Sequence, residues 1–337
     1  MLAEIDTEPS FQPPFWLRNR HLQSILPSLA LRRPGVRRQC TQLIRNSSAR
    51  VLECGNGVRL LGYAAAAARP AGSRARLAII LHGWEGSSDS MYVLSLGQFL
   101  LERGMDVFRL NLRDHGDSHH LNRGLFHSCL LPEVRDAVVA LARQYPGHQR
   151  SMIGFSLGGN FALRVGAALA GRADLLARII AVSPVLDPQV TLVALEDGLP
   201  LYRRYFIRKW RRSLTRKQRA WPDDYDFTRL SELDTLTAMT EQLVLRHTGY
   251  RTLAEYFQGY AITGSALQGL KVPSRILLSQ DDPIIPSRDV SRLAMNPALS
   301  VMVTRHGGHC GFRDSLSGRA WVDRFVHESL TGQSGHT

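Results

Sequence analysis

The stretch MIGFSLGGN, residues 152–160, places Ser156 among three glycines directly after a short apolar run. A serine hydroxyl reacts as a nucleophile only when a base takes its proton and a third group orients that base. GFSLGG fits the pattern G-x-S-x-G, which chance would supply roughly 0.1–0.2 times in a chain of this length, so its surroundings must carry the interpretation. The apolar run ends at Phe155, and a helix-compatible segment, LGGNFALRVGAAL, follows at once. In such a setting the serine can occupy a strained turn, with Gly154 and Gly158 where a Cβ would strike neighbouring backbone. A Gly-rich turn with an N-capping serine is the plain alternative. A phosphate-binding turn fits poorly, because the Lys-Ser/Thr of a P-loop and the spacing G-x-G-x-x-G are both missing.

Partners for the serine lie far along the chain. TRHGGHCGF offers His306 and His309 as bases, and the two glycines before His309 suit a tight loop. LLSQDDPIIP ends another apolar run and offers Asp281 and Asp282 as orienting acids. An early run, IILHGWEGSS, ends at His82-Gly83. Its loop could supply one backbone N–H of an oxyanion hole, beside the N–H of Leu157.

These residues need a frame that brings them to one edge. Short apolar runs at 58–63, 76–83, 105–113, 151–155, 177–184, 274–282 and 299–308 predict strands, several apolar throughout, as strands covered on both faces should be. Helix-length segments at 88–103, 132–145, 157–170 and 316–330 alternate with them, and in the second Val134, Val138, Leu141 and Tyr145 recur at helical spacing. The pattern predicts an α/β fold with a mostly parallel, doubly wound sheet. Residues 185–268 exceed what one crossover requires and are rich in aromatics; they predict a helical cap inserted over the C-terminal edge of the sheet. The expected division is an N-terminal arm at 1–50, a core at 51–184 and 269–337, and the cap between the two core pieces.

The 337 residues carry a net charge of +13, concentrated in two places. Residues 11–50 contain eight arginines and no acid, and residues 203–219 contain nine Lys or Arg and no acid. The rest of the chain has 25 bases against 29 acids, so a nucleic-acid-binding surface is not indicated and no recognition motif is present. Scattered cysteines, no secretory signal and no membrane-spanning apolar run point to a cytoplasmic protein with reduced thiols.

The order Ser156, then Asp, then His309 is that of the α/β hydrolases. More narrowly the chain resembles the YheT-like branch of that superfamily, which includes the eukaryotic ABHD lipases. The resemblance rests on PPFWLRNRHLQSILP (13–27), LHGWEGSSDSMY (81–92), NLRDHGDS (111–118), GFSLGGN (154–160), DDPIIP (281–286) and GGHCGF (307–312). It implies a Ser–His–Asp esterase or lipase acting on acyl esters without metal or organic cofactor. Carried onto this chain, Ser156 is the nucleophile, His309 the base and Asp282, immediately before PIIP, the orienting acid. The amides of Trp84 and Leu157 would form the oxyanion hole. Relatives usually carry Gly where Asp114 stands, so the local turn departs from the pattern.

Other readings stay beside this one. Asp281 competes with Asp282, although adjacent strand-end residues face opposite ways and only one can reach His309. His306 fits a structural role better than the base. His115, His119 and His120 match no common zinc spacing and fit a polar loop. Cys310 fits packing. The basic run 203–219, with Tyr205, Phe206, Ile207, Trp210 and Leu214 interleaved, fits a solvated cap face, or an amphipathic helix on an anionic membrane. The aromatic cap suggests a lipid-like ester with a short- to medium-chain apolar acyl group. An acyltransferase would use the same residues, and a non-catalytic binding protein on this scaffold would have no need of all three.

Overall fold

The computed structural model describes residues 5–6, 11–169, 171–316 and 318–332. Its strands are β1 (Ile5–Asp6), β2 (Ser48–Glu53), β3 (Arg59–Ala65), β4 (Arg76–Leu81), β5 (Asp106–Leu110), β6 (Gln149–Phe155), β7 (Arg178–Val182), β8 (Ser274–Ser279) and β9 (Leu299–Thr304). They form one sheet in the order β1-β9-β8-β7-β6-β4-β5-β3-β2. Only the pairings β2–β3 and β3–β5 are antiparallel. The fold is therefore the mostly parallel α/β arrangement expected from the sequence.

Alternation within the central strands explains their unbroken apolar runs. Leu77, Ile79 and Leu81 of β4 enter the core on one face of the sheet, with Met152, Ile179 and Ala181. Ala78 and Ile80 enter the core on the other, with Ile153, Phe155 and Val182. Both faces are covered, so both residue parities must be apolar. The described helices are α1 (Arg20–Ile25), α2 (Arg33–Gln39), α3 (Thr41–Asn46), α4 (Met91–Leu101), α5 (Leu131–Gln144), α6 (Leu157–Ala168), α7 (Pro188–Asp197), α8 (Pro200–Ala220), α9 (Leu236–His247), α10 (Leu253–Gln258) and α11 (Trp321–Thr331). Helices α5 and α6 pack on the first face, and α4, α11 and the N-terminal segment on the second. Each fully buried Leu or Ile contributes about 1.5–3 kcal/mol.

Two strands were not foreseen. Strand β2 begins at Ser48, inside the range expected to be an arm, and exposes five of its six residues; an edge strand of this kind lacks the apolar run that signals a strand. Strand β1 has only two residues and adds to β9.

Helices α7 to α10 lie between β7 and β8 in the chain and pack on one another. In α8 Tyr202, Ile207 and Leu214 are buried, while Leu201 in its first turn is exposed. Its exposed side carries Arg204, Arg208, Arg212 and Arg216, one turn apart. The helix thus offers the outside an arginine row rather than an apolar face. Lys217, fully buried, reaches down to the Asp114 carboxylate at 2.9 Å and donates to the carbonyls of Asn122 and Gly124. Asp114 has φ +57°, the left-handed conformation that glycine adopts freely and Asp tolerates. No helix among the described residues is long and apolar enough to cross a membrane.

Candidate active site

Strand β6 ends at Phe155 and α6 starts at Leu157, leaving Ser156 alone in the turn with φ +52° and ψ −119°. A non-glycine residue in that region costs about 1–3 kcal/mol and persists only where the surroundings impose it. The surroundings are backbone. A Cβ on Gly154 would stand 2.2 Å from the Gly158 carbonyl oxygen, and one on Gly158 would stand 2.4 Å from that of His82. The two glycines let the strand, the turn and the end of β4 meet in direct contact, which lifts the Ser156 hydroxyl out of the sheet edge.

The loop after β9 brings His309 to that hydroxyl: Nε2 lies 3.0 Å from Ser156 Oγ. On the ring's other side Nδ1 lies 3.0 Å from Asp282 Oδ2. A carboxylate can only accept, so Nδ1 carries a proton, and in the neutral ring Nε2 is left to accept from the serine hydroxyl. Asp282 is itself held, its Oδ1 accepting from the amides of Ile284 at 2.8 Å and Ile285 at 2.9 Å. Burial alone would pull the imidazole pKa down. The neighbouring Cys310 and the Asp282 carboxylate outweigh it, and His309 sits well above its ordinary value.

The competing pair is turned elsewhere. Asp281 accepts from the Gly308 amide at 2.9 Å and pairs with His306 at 3.5 Å. It braces the loop that carries His309 without touching the ring. Cys310 is buried, with its amide donating to Ser183 Oγ. Cys310 and Phe312 both have positive φ, so backbone strain gathers in this loop as it does at Ser156.

Leu157 is the first residue of α6, and its N–H has no acceptor within the helix. Across the cleft, the loop after β4 is held in place around Trp84. His82 is buried, accepts from the Leu112 amide through Nε2 and donates to the Gly83 carbonyl through Nδ1. The Gly83 amide donates to the Tyr92 hydroxyl. His115 donates to the Arg113 carbonyl and accepts from the Glu85 amide. Burial pushes His115 down to about 4, so it stays neutral as a brace. His119 lies 2.9 Å from Ser213 Oγ of α8, and His120 is exposed. Among the described residues no group of three His, Cys, Asp or Glu side chains is placed to hold a metal ion.

Sequence reasoning missed the contribution of the N-terminal segment. Asn19 caps α1 by accepting from the His21 and Leu22 amides, and the helix lies directly against the His309 loop. Ser24 Oγ accepts from the His309 backbone N–H at 2.8 Å. Gln23, wholly buried, donates to the Arg313 carbonyl at 2.8 Å and accepts from its amide at 2.9 Å. The approach is so close that a Cβ on Gly308 would meet the Arg20 carbonyl at 2.5 Å, and one on Gly311 the Gln23 carbonyl at 2.4 Å. In the sequence this contact was marked only by the motif at 13–27 and the small residues of GGHCGF, with nothing to say that the two meet. Ser24→Ala is expected to lower kcat about tenfold with KM and melting temperature nearly unchanged, and Ser24→Thr to recover most of it. A kcat equal to wild type would show that this hydrogen bond does not position the ring.

Ser156 and His309 open onto a cavity of about 500 Å³, walled by the α7–α10 segment, the loop carrying Trp84 and residues of the N-terminal segment from Ser24 to Ala30. Its wall is mostly apolar or aromatic. Trp84 stacks on Phe206 with centroids 5.2 Å apart and meets Trp210 edge-on at 5.0 Å. His127, also in the wall, is pushed down to about 4, first by burial, and its Nδ1 has no partner among the described residues.

Comparisons with known proteins bear on the family and the fold. Residues 78–315 match the family described as the alpha/beta hydrolase fold. YheT of Escherichia coli is 23% identical over 260 residues, covering 75% of this chain and 76% of that protein. A Saccharomyces cerevisiae protein named monoacylglycerol lipase is 25% identical over 271 residues, covering 75% of this chain and 60% of its own. Among solved structures, the Pyrococcus furiosus esterase Pf2001 superposes with a TM-score of 0.57 over 89% of this chain and 94% of its own, at 17% identity. The nucleophile-type turn, the strand order and the matched span lead to one assignment: the chain belongs to the α/β-hydrolase family, in its YheT-like branch.

Proposed function

We propose that the protein is a serine hydrolase of carboxylic esters, acting on lipid-like substrates with an apolar acyl group. One observation carries this reading: an unbroken hydrogen-bonded relay from Ser156 through His309 to Asp282, with both links at 3.0 Å, facing an apolar cavity. His309 takes the hydroxyl proton as Ser156 attacks the ester carbonyl, and Asp282 stabilises the imidazolium that forms. The amides of Trp84 and Leu157 receive the oxyanion. The alcohol leaves with the proton from His309, and an acyl-enzyme remains. His309 then activates water, which releases the acid and restores the serine.

In this reading residues 185–268 are a cap that encloses the acyl group, residues 1–50 an arm that closes one wall, and the remainder the hydrolase core. The lipase name of a relative supports the lipid-like substrate class, and four unpaired cysteines support a reducing, cytoplasmic setting. A fluorophosphonate probe tests the core of the proposal. Wild type is expected to be labelled and Ser156→Ala to stay unlabelled. Folded wild-type protein that resists the probe would refute a reactive serine.

A further inference from the structure

We propose that the ester taken into this cavity bears an anionic group, a phosphate or carboxylate, which Arg208 holds at the mouth. The inference rests on the hydrolase reading for what happens to the ester, but the anion site stands on its own observations.

The first is the lining. Lys209 lines the cavity wall and Arg208, on the outer row of α8, lines its rim; no Asp or Glu lines it among the described residues. Lys209 is engaged, donating to the Glu85 carbonyl at 2.8 Å and lying 5.0 Å above the Tyr205 ring. Arg208 is exposed at the rim. Other bases of α8 are occupied: Arg203 pairs with Glu196, Arg216 with Asp117 and Lys217 with Asp114. Arg204, Arg208 and Arg212 stand one turn apart on the exposed side of α8, where the segment offers them no acid. A guanidinium with its donors uncommitted suits bidentate binding of phosphate or carboxylate.

The second observation concerns charge. All the net positive charge of the chain comes from residues 11–50 and 203–219; the rest is net acidic, 25 bases to 29 acids. The basic segment 203–219 brings Arg208 and Lys209 to this cavity, while the stretch that 11–50 contributes, Ser24 to Ala30, is uncharged. A concave site lined by one sign of charge, with low-dielectric aromatic walls, concentrates ligands of the opposite sign.

The test reads binding first and turnover second. Tryptophan fluorescence, reporting on Trp84 and Trp210 in the wall, is titrated with decyl phosphate and with decanol as dissolved monomers. Wild type is expected to favour the phosphate by about tenfold or more at low salt, with the preference shrinking as salt is raised. Arg208→Glu is expected to abolish the preference, and Arg208→Gln to reduce it. Equal affinity for the two probes in wild type, or an undiminished preference in Arg208→Glu, overturns the proposal.

Turnover is then compared for monodecanoylglycerol and its phosphate monoester. Cleavage of both without preference, alongside equal probe affinities, sinks the anion site and leaves the hydrolase. A binding preference with neither ester cleaved sinks the hydrolase reading and leaves the anion site. A last arm separates a free anionic ester from a lipid headgroup. A phosphate preference seen with dissolved esters supports the proposal; one seen only when the neutral ester is presented in phosphatidylglycerol-containing vesicles reflects surface charge alone and overturns it.

Discussion

Ser156→Ala is expected to lower kcat on a simple ester by about 10⁶-fold and Asp282→Asn by about 10⁴-fold. The two floors differ because the residues fail differently. In the proposed mechanism no acyl-enzyme forms without Ser156, and only the cavity and the proposed oxyanion amides would assist attack by water. With Asn at 282 the nucleophile remains, but Nδ1 loses the carboxylate that fixes its proton and compensates the imidazolium. The pH profile distinguishes orientation from charge. As the proposed base His309 would work only when neutral, and its pKa lies well above the ordinary value, so wild-type activity is expected to be lost as pH falls through that raised value. Removing the Asp282 carboxylate takes away one support for the raised pKa, and the acid limb of the residual activity is expected to move to lower pH. An Asp282→Asn enzyme with more than about a tenth of wild-type kcat would mean that another group orients the ring.

Lys217→Met is expected to destabilise the fold by about 3–5 kcal/mol, measured by urea unfolding. Lys217 and Asp114 are buried at 0% and 4% side-chain exposure, so removing the ammonium strands a carboxylate and the Asn122 and Gly124 carbonyls. Burial already raises the Asp114 pKa, and Lys217 is the main influence holding it down. In the variant that pKa climbs further. A carboxyl whose folded pKa exceeds its unfolded value binds more protons when folded, so stability falls as pH rises through the window between the two. The deficit against wild type is therefore expected to be smallest near pH 4 and to grow toward neutrality. The double variant Lys217→Met with Asp114→Asn should recover part of the loss, because the stranded charge is gone. A loss under about 1 kcal/mol at neutral pH would show that water reaches the carboxylate. This pair also fastens α8 to the loop after β5, which links the stability of the α7–α10 segment to Asp114.

Much of the site was legible because its parts are local. GFSLGG, DDPIIP and GGHCGF each spell out a turn at the end of a strand, and backbone sterics demand the glycines whatever lies elsewhere. The apolar runs announced seven strands because burial on two faces leaves a strong one-dimensional signal. Where that signal is weak the strand was missed: β2, exposed along most of its length, has nothing for periodicity to detect. Sequence also left Asp281 and Asp282 competing, since adjacent residues differ only in the direction they face.

That direction, and everything depending on contacts between distant segments, belongs to tertiary structure. It set Asp282 against His309 and Asp281 against Gly308. It turned the aromatic side of α8 inward and its arginines outward, and it buried one lysine of a basic run beneath the helix. It also laid α1 across the loop that carries His309, 285 residues away along the chain. Residue types determined which chemistry was available, through local steric needs and burial periodicity. Packing decided which of several eligible groups meet, because a hydrogen bond between residues hundreds of positions apart leaves no trace in the spacing of either.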